Sequence, residues 1–235
     1  ALKDIHVAFD ANVGLFKGET CSMDWRTHTY PNWFINSVIA DSFSSGTNAL
    51  HKFFYQFLGT AGRIIQKPAE EIAMWEKYSG LLKENINKHF WDEKQGCYTC
   101  YLYPEYLGYR PTQRVGVMSN GLAAVLDIAT TGQSIQMVEN FPLYPYGAAV
   151  LYPSIPDDFS YHNKSVWPVW ETPYMYAARD VKNTKVVEHM IKSLVRAGAL
   201  FLTHKENMTY DTGYDCGTAL NSSRQLWSVA SYISM

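Results

Sequence analysis

The segment SGTNALHKFFYQFLGTAGRIIQ, residues 45–66, carries the clearest periodic pattern of this sequence. Its apolar side chains recur three and four residues apart, which is the spacing of one face of an α-helix. These side chains are Ala49, Leu50, Phe53, Phe54, Phe57, Leu58, Ala61, Ile64 and Ile65. Pro68 follows closely, and proline is well suited to the first turn of a new helix. The segment therefore predicts two consecutive helices joined by a short turn.

Apolar residues at helical spacing extend over most of the chain. The predicted helices are 2–16, 45–66, 68–90, 119–130, 134–140, 165–181, 184–203 and 219–234. We expect Ser165 and Thr184 to cap two of them, because a hydroxyl oxygen can accept from the free N–H groups of a first turn. No linker rich in Pro, Ser and Gly interrupts the series, so residues 1–235 are predicted to form one all-α domain of about eight helices.

Four long connections separate these helices, at 18–34, 97–118, 141–164 and 204–218. Connections of this length in a compact domain are functional or disordered, and these contain too many Tyr, Trp and Phe for disorder. Within the second, the stretch CYTCYLYPEYLGYRP alternates in polarity and predicts a short hairpin or an extended loop. Helices alternating with aromatic loops predict a toroid or a bundle of helical hairpins, with its working loops at one end.

The composition excludes several classes of partner. The net charge is −2, from 20 basic and 22 acidic residues, which gives no electrostatic reason to bind nucleic acid or a membrane surface. No apolar run approaches the roughly 20 residues that a membrane span requires. Aromatic residues make up 15% of the chain. That share fits a large core, and it also fits a carbohydrate site, where sugar rings stack on flat aromatic faces.

The loop GETCSMDWRTHTYPNWF, residues 18–34, mixes carboxylates with large aromatic rings. Cleavage of a glycosidic bond needs one carboxylic acid to protonate the leaving oxygen and one carboxylate to activate water or attack carbon. Asp24 lies between Met23 and Trp25, and such apolar surroundings raise the pKa of an acid. Asp24 is therefore a candidate acid. The alternative is that Asp24 and Arg26 form a purely structural ion pair.

Two later stretches contain further candidates. In FSYHNKSVWPVWETPYMYAA, residues 159–178, Trp167 and Trp170 lie three positions apart beside Glu171, and His162 and Asn163 precede them. This pattern fits a polar lip beside two indole rings, and it fits core packing equally well.

The other stretch is HKENMTYDTGYDCGTALNSSRQLWSVASY, residues 204–232. It holds Glu206, followed some twenty residues later by Trp227. Taken by itself, Glu206 is an ordinary carboxylate, and only the combination of the stretches gives it significance.

The three stretches together resemble a known group of enzymes. GETCSMDW is similar to the Glu-Ser-Gly-x-Asp-aromatic motif of trehalases and processing α-glucosidases, and SVWPVWETPYMYAA resembles their Trp-Arg-Gly-Pro-x-Trp helix. ENMTYDTG followed by RQLWSVA resembles their Glu-(Asn/Lys)-Tyr-Asn-x-x-Thr-Gly segment and its closing Gly-Trp-Ser-Ala-Ala. The motifs occur in the family's order. Glu19 and Asp24 are one residue further apart than in the family, and the family's Arg-Gly before Pro is replaced by Ser165-Val166-Trp167.

The resemblance to this six-hairpin glycosidase superfamily implies an (α/α)6 toroid with its active site at one mouth. It implies inverting hydrolysis of an α-linked sugar, with Asp24 as the general acid and Glu206 as the general base. Glu19 is the alternative acid, and Glu171 is the alternative base. We expect sugar contacts from Trp25, Arg26, His162, Asn163, Trp167, Trp170 and Trp227. The chemistry requires no metal or cofactor. Such hydrolases are often exported, which favours a periplasmic or extracellular location.

Eight predicted helices are fewer than the roughly twelve of a complete toroid. We therefore expect this chain to be the C-terminal two-thirds of a larger barrel, with the first hairpins in a missing N-terminal segment or on a second chain. Two other functions stay open at this point. A non-catalytic carbohydrate-binding relative would keep the aromatic mouth, whereas a helical-repeat scaffold would show regular repeats of about 34–45 residues and short loops.

Overall fold

The structure is a computed structural model that describes residues 2–20, 29–156, 161–215 and 221–234. Nine helices occur in these ranges. They are α1 (Leu2–Ala8), α2 (Asn36–Ala40), α3 (Ser45–Ile64), α4 (Ala69–Phe90), α5 (Val117–Val125), α6 (Thr131–Asn140), α7 (Pro168–Asp180), α8 (Thr184–Phe201) and α9 (Leu226–Ile233). Seven of the eight predicted helices are confirmed with shifted ends. The helix predicted over 2–16 ends already at residue 8, and α2 was not predicted.

The long helices form two rows. In the first, which we call the central row, α3 contacts α5, α5 contacts α7, and α7 contacts α9. The flanking row consists of α4, α6 and α8; α4 packs on α3, while α6 and α8 pack on α7. Helices of the two rows alternate along the chain, which is the arrangement of consecutive helical hairpins.

The turn from a central to a flanking helix has the same geometry three times. Gln66, Asp127 and Lys182 each lie two positions beyond the end of a central helix and adopt left-handed φ angles of 56°, 57° and 61°. The residue after each one donates its N–H to a carbonyl five positions earlier. This closure satisfies the last carbonyls of the helix. The flanking helix can therefore start almost at once, as the segment 45–68 predicted.

The two predicted hydroxyl caps are wrong. Trp167 is the N-cap of α7, and the Ser165 hydroxyl donates to the carbonyl of His162 instead. Asn183 caps α8, with its side chain accepting from Val186 N–H. Asparagine caps as well as threonine does, so the sequence did not distinguish the neighbouring positions 183 and 184.

Thirteen short strands of the described residues lie in the connections, so the all-α prediction must be corrected. They are β1 (Phe9–Asp10), β2 (Leu15–Phe16), β3 (Phe43–Ser44), β4 (Trp91–Asp92), β5 (Cys97–Tyr98), β6 (Tyr101–Glu105), β7 (Gly108–Pro111), β8 (Val115–Gly116), β9 (Leu143–Tyr144), β10 (Gly147–Ala148), β11 (Leu151–Tyr152), β12 (Ser165–Val166) and β13 (Met208–Thr209). The hairpin predicted within 97–111 is confirmed as β6 and β7, whose strands pair antiparallel.

Strand pairs join each long connection to the next. The strands β3, β8 and β12 each stand directly before a central helix, and each pairs antiparallel with a strand of the following connection: β3 with β6, β8 with β11, and β12 with β13. These pairings bring the beginnings of the central helices to one edge of the molecule. The long aromatic connections therefore lie side by side at that edge, which we call the mouth.

A tight hairpin explains the wrong helix prediction at residues 2–16. The strands β1 and β2 pair across a turn in which Asp10 accepts from two backbone N–H groups and Gly14 has a φ of 74°. The strands β4 and β5 repeat this turn with Asp92 and Gly96. The aspartate turn ends the helix, although Val13 and Phe16 continue the apolar spacing.

One polar side chain ties each hairpin to the central helix that follows it. Asn48 of α3 accepts from Phe16 N–H and donates to the Phe16 carbonyl, and Asn120 of α5 makes the same pair of bonds to Tyr98. Glu171 takes this place in α7, where one oxygen accepts from Ala148 N–H at 3.0 Å. The chain thus contains a structural repeat of unequal length, which no fixed sequence period reveals.

The core consists of three clusters. One lies between α3 and α4, a second between α5, α6, α7 and α8, and the third beneath the mouth, where Tyr30, Tyr101, Tyr161 and Trp167 belong to it. None of the helices described by the structure combines the length and the hydropathy that crossing a bilayer requires. The mouth cluster is the one that supports the candidate site.

Candidate active site

Glu206 is a buried carboxylate at the mouth, with 6% of its surface exposed. Its Oε2 accepts from the Tyr161 hydroxyl at 3.3 Å and from Ser222 N–H at 3.4 Å. Its Oε1 accepts from the Gln225 side-chain amide at 3.3 Å. A carboxylate buried away from water needs donors, and these three neutral donors stabilise its charged form.

The backbone around Glu206 is fixed by residues of the following segment. Glu206 N–H donates to the Ser222 carbonyl at 2.9 Å, and Gln225 N–H donates to the His204 carbonyl at 3.0 Å. The Asn221 side chain donates to the Asn207 carbonyl at 2.9 Å. The start of α9 and the Glu206 segment therefore move as one piece, although nearly twenty residues separate them in the sequence.

Tyr161, whose hydroxyl donates to Glu206, belongs to a group of aromatic rings from two other segments. The rings of Trp167 and Trp170 stack in parallel with centroids 4.1 Å apart, and Tyr161 contacts Trp167 edge-on at 5.1 Å. Trp227 lies 6.4 Å from Trp167 and is 46% exposed. Tyr161 thus connects the carboxylate to the tryptophans. The pairing of β12 with β13 places these segments together, because β12 precedes Trp167 and β13 follows Glu206.

The tryptophans differ in accessibility. Trp167 is buried behind its neighbours, with 2% of its surface exposed, whereas Trp170 is half-buried. Sugar stacking on Trp167 stays a prediction, and it requires a face of the ring to become uncovered. Trp227 presents the largest indole surface of the three.

His162 and Asn163 both lie under this aromatic group. The ring of His162 contacts Trp170 at 4.9 Å and is buried. The Asn163 amide accepts from Ile155 N–H and donates to the Ile155 carbonyl, each at 2.9 Å, so it ties the mouth loop to itself. The predicted contact of these two residues with sugar hydroxyls is not tested by their placement, and Asn163 has a structural role besides.

Glu171 has different surroundings from Glu206. It is fully buried, and burial raises its pKa to about 8 although the bond from Ala148 N–H lowers it. Its Oε1 has no hydrogen-bond partner among the described residues. Gly147 packs against it so closely that a Cβ there would lie 2.7 Å from Oε2. Its bond from Ala148 N–H corresponds to the accepting half of the ties that Asn48 and Asn120 make.

Asp24, Trp25 and Arg26 lie outside the described residues. The residues that flank this stretch are described: Thr20 N–H donates to the Tyr30 hydroxyl at 3.2 Å, and Tyr30 belongs to the same buried cluster as Tyr161 and Trp167. Glu19 is half-buried, and its carbonyl accepts from the Thr47 hydroxyl at 2.6 Å. The two ends of the stretch are therefore anchored beneath the mouth.

Three residues around Glu206 were not predicted as site residues. Tyr161, Ser222 and Gln225 all donate to its carboxylate. Tyr161 and Gln225 stand beside predicted site residues in the sequence, at His162 and close to Trp227. Neither position has a local signal, because the bonds depend on which loops the fold brings together.

Solved structures similar to this one are glycoside hydrolases and a related protein of unassigned activity. A GH63 mannosylglycerate hydrolase from Thermus thermophilus, solved with glucose, matches 83% of this chain at 15% identity with a TM-score of 0.66. Neutral trehalase from Saccharomyces cerevisiae matches 87% of it at 16% identity with a TM-score of 0.67. An uncharacterized conserved protein, also from Thermus thermophilus, matches 82% of it at 14% identity with a TM-score of 0.63.

The match covers only part of each of these proteins. The chain spans 48%, 39% and 47% of their lengths, respectively, which is less than half in every case. No protein-family model matches the sequence, and no curated protein sequence does. At such low identity, the comparison shows a shared fold. This chain therefore has the fold of part of these glycoside hydrolases, and the similarity to trehalase agrees with the resemblance that the three sequence motifs indicated.

Proposed function

We propose that this protein is a glycosidase that hydrolyses an α-linked sugar with inversion at the anomeric carbon. The observation that carries the proposal is the position of Glu206, a buried carboxylate beside Tyr161 and the tryptophan group at the mouth. The glycoside hydrolases among the similar structures support the same class of reaction.

Glu206 acts as the general base in this proposal. An inverting enzyme needs a carboxylate that takes a proton from water while that water attacks the anomeric carbon. Tyr161, Ser222 and Gln225 donate to the side chain and orient it. The same donors would stabilise the ionised form during the approach of water.

Asp24 acts as the general acid. Two observations support this role: its place in the motif shared with trehalases, and the anchoring of Thr20 and Tyr30 in the cluster that also holds Tyr161. Asp24 is four residues from Thr20, and each residue extends a chain by at most about 3.6 Å. The few residues between Thr20 and Asp24 are therefore enough for Asp24 to reach the mouth in this proposal.

The exposed aromatic surface supplies the sugar platform. Trp227 and Trp170 present indole surface beside Glu206, and a pyranose ring stacks on such a face. Trp25 and Arg26, neighbours of Asp24, would add a second platform and a donor to sugar hydroxyls. In this proposal Glu171 belongs to the scaffold, which is supported by the position that it shares with Asn48 and Asn120.

The experiment is hydrolysis of a panel of α-linked disaccharides, followed by proton NMR so that the first anomer released is identified. We expect the β-anomer of the sugar that held the α-linkage. Replacement Glu206→Gln keeps the shape of the side chain but removes the base, and general acid–base catalysis contributes about 100- to 10,000-fold. A loss of kcat in that range is therefore expected, with the same for Asp24→Asn.

Glu188→Gln is the matched control, since Glu188 is an exposed carboxylate on α8 that pairs with Lys192. It should leave kcat unchanged. Release of the α-anomer first would exclude inversion. Sugar binding by calorimetry without any hydrolysis would instead indicate a non-catalytic carbohydrate-binding protein of the same fold.

A further inference from the structure

A small cavity lies directly beneath the Glu206 segment, where three helices meet. Pro168 of α7, Leu194 of α8 and Ser228 of α9 line it, together with Lys205 and Asn207 on either side of Glu206. The space open to the centre of a water-sized sphere is about 20 Å³. One water molecule needs about 10–15 Å³ of such space. The cavity therefore has room for a single water.

Three buried polar atoms of residues that line this cavity have no hydrogen-bond partner among the described residues. Neither Nδ2 nor Oδ1 of Asn207 has a hydrogen-bond partner in the part of the chain that the structure describes, and the same holds for Oγ of Ser228. Asn207 is 1% exposed and Ser228 is 2% exposed. Buried polar atoms are nearly always satisfied, by protein or by ordered water. Three unsatisfied ones around one cavity need a common explanation.

Comparison with Ser231 shows that Ser228 is unusual for its helix. Ser231, one turn further along α9 and equally buried, donates to the Trp227 carbonyl at 3.0 Å. The residue four positions before Ser228 is Arg224, which precedes the helix and has a left-handed φ of 60°. Ser228 has no helical carbonyl at that position, so its hydroxyl is available to a ligand in the cavity.

We propose that Asn207 and Ser228 bind one internal water, and that this water fixes Glu206 for catalysis. Asn207 can donate to the water and accept from it, and the Ser228 hydroxyl completes the two to four polar partners that a buried water requires. The inference deepens the proposed function and rests on it, because it makes Asn207 a positioning residue for the general base.

The water would hold residues 206 and 207 on the side that faces α9. Asn221 and Ser222 fix the backbone of residues 206 and 207 from one side. The water joins residue 207 to α9 on the other. The same helix begins after Gln225, which donates to the Glu206 carboxylate. Loss of the water would loosen the base relative to its own donor.

The first test is a crystal structure of the unliganded protein at a resolution that shows ordered waters. We expect one well-ordered peak within hydrogen-bond distance of the Asn207 amide and of Ser228 Oγ. An empty cavity, or a direct bond between the two side chains, would overturn the proposal. This test does not require the protein to hydrolyse a glycoside.

The second test is kinetic. Ser228→Ala and Asn207→Leu remove polar partners of the water, and we expect kcat to fall by roughly 10- to 100-fold with KM nearly unchanged, because a misplacement of about 1 Å costs up to about 100-fold. Ser228→Thr keeps the hydroxyl and should restore kcat. Ser231→Ala, the matched control, removes an equally buried hydroxyl from the same helix and should leave kcat unchanged.

The outcomes separate the two claims. If Ser228→Ala and Ser231→Ala lower kcat equally, the effect belongs to the helix in general and the positioning role is wrong. If Asn207→Leu does not fold, Ser228→Ala still decides. A water in place in a protein that hydrolyses no glycoside would overturn the proposed function and the positioning role while confirming the water site.

Discussion

At the scale of single residues, two buried glutamates of this protein differ in the hydrogen bonds that their carboxyl groups accept. Glu206 accepts from Tyr161, Ser222 and Gln225, whereas Glu171 accepts from one backbone N–H and leaves Oε1 without a partner among the described residues. A protonated carboxyl combines a donating O–H with an accepting oxygen, as an amide combines a donating NH2 group with an accepting oxygen. Glu171 can therefore replace the asparagine found at the equivalent positions 48 and 120 as long as it holds its proton.

Glu171 predicts a pH dependence of stability. Its folded pKa of about 8 exceeds the ordinary value of 4.5, so the folded state binds the proton more tightly than the unfolded state. The free energy of unfolding should be unaffected by this group below pH 4.5, fall as the pH rises from 4.5 to 8, and level off above 8. One pKa unit corresponds to about 1.4 kcal/mol, so the fall amounts to several kcal/mol.

Glu171→Gln tests this directly, because it makes the neutral state permanent. Urea unfolding across this pH range should show a flatter stability profile for the variant than for the parent protein. The exposed Glu93→Gln removes the same charge and serves as the control. A Glu171→Gln profile that falls as steeply as that of the parent protein would contradict the assignment.

Sequence reasoning predicted Glu206 and the tryptophans as site residues through motif resemblance, and these roles stay predictions. It did not separate Glu171 from Glu206, since both are carboxylates close to tryptophan in the chain. What distinguishes them is the repeat of hairpin and helix, whose unequal spacing hides it from the sequence. Tyr161 was not predicted as a site residue for a related reason, since its bond to Glu206 joins residues 45 positions apart.

At the scale of elements, the close approach of central helices α5 and α7 depends on one glycine. A Cβ at Gly121 would lie 2.4 Å from the Tyr174 backbone nitrogen and 2.6 Å from the Pro173 carbonyl carbon. Backbone cannot move aside as a flexible side chain does. Gly121→Ala should therefore destabilise the protein by about 1–3 kcal/mol in urea unfolding, the usual cost of overpacking.

Gly80→Ala is the matched control within a helix. Gly80 lies on the exposed face of α4, and no atom stands within 4 Å of an added Cβ. Alanine is the better helix former, so this replacement should stabilise the protein by about 0.5–1 kcal/mol. Equal effects of the two replacements would mean that α5 and α7 do not pack as closely as the structure has them.

The helices were the most predictable elements. The stripe over 45–66 is long enough for its period to be unambiguous, and α3 occupies Ser45–Ile64. The two-residue strands have no such period, and their pairings join distant connections, as β12 does with β13. At residues 2–16 the aspartate turn overrode an apolar spacing that was too short to decide between helix and hairpin.

At the scale of the whole molecule, both ends of the central row have large apolar side chains exposed. On α3, Phe53, Phe57 and Ile64 are 48%, 57% and 77% exposed. At the other end, on α9, Leu226 and Ile233 are 79% and 77% exposed. Contiguous apolar patches on monomers seldom exceed a few hundred Å². We infer that further helices, on a preceding segment or a second chain, cover these faces and complete the ring.

This inference predicts how the chain behaves in solution by itself. With its faces uncovered, it should self-associate and sediment as a species heavier than 26.8 kDa. The double replacement Phe53→Glu with Phe57→Glu should shift it toward the monomer, whereas Tyr106→Glu, at a fully exposed position between β6 and β7, should not. A compact, well-behaved monomer of the parent chain would count against an incomplete ring.

The most direct test of the proposed site is a crystal structure with a monosaccharide-based inhibitor bound. The account predicts the sugar ring on Trp170 or Trp227, with the carboxyl groups of Asp24 and Glu206 on opposite faces and about 6.5–9.5 Å apart, the separation of inverting enzymes. An inhibitor bound away from Glu206, or an Asp24 carboxyl beyond the reach of the same sugar ring, would contradict it.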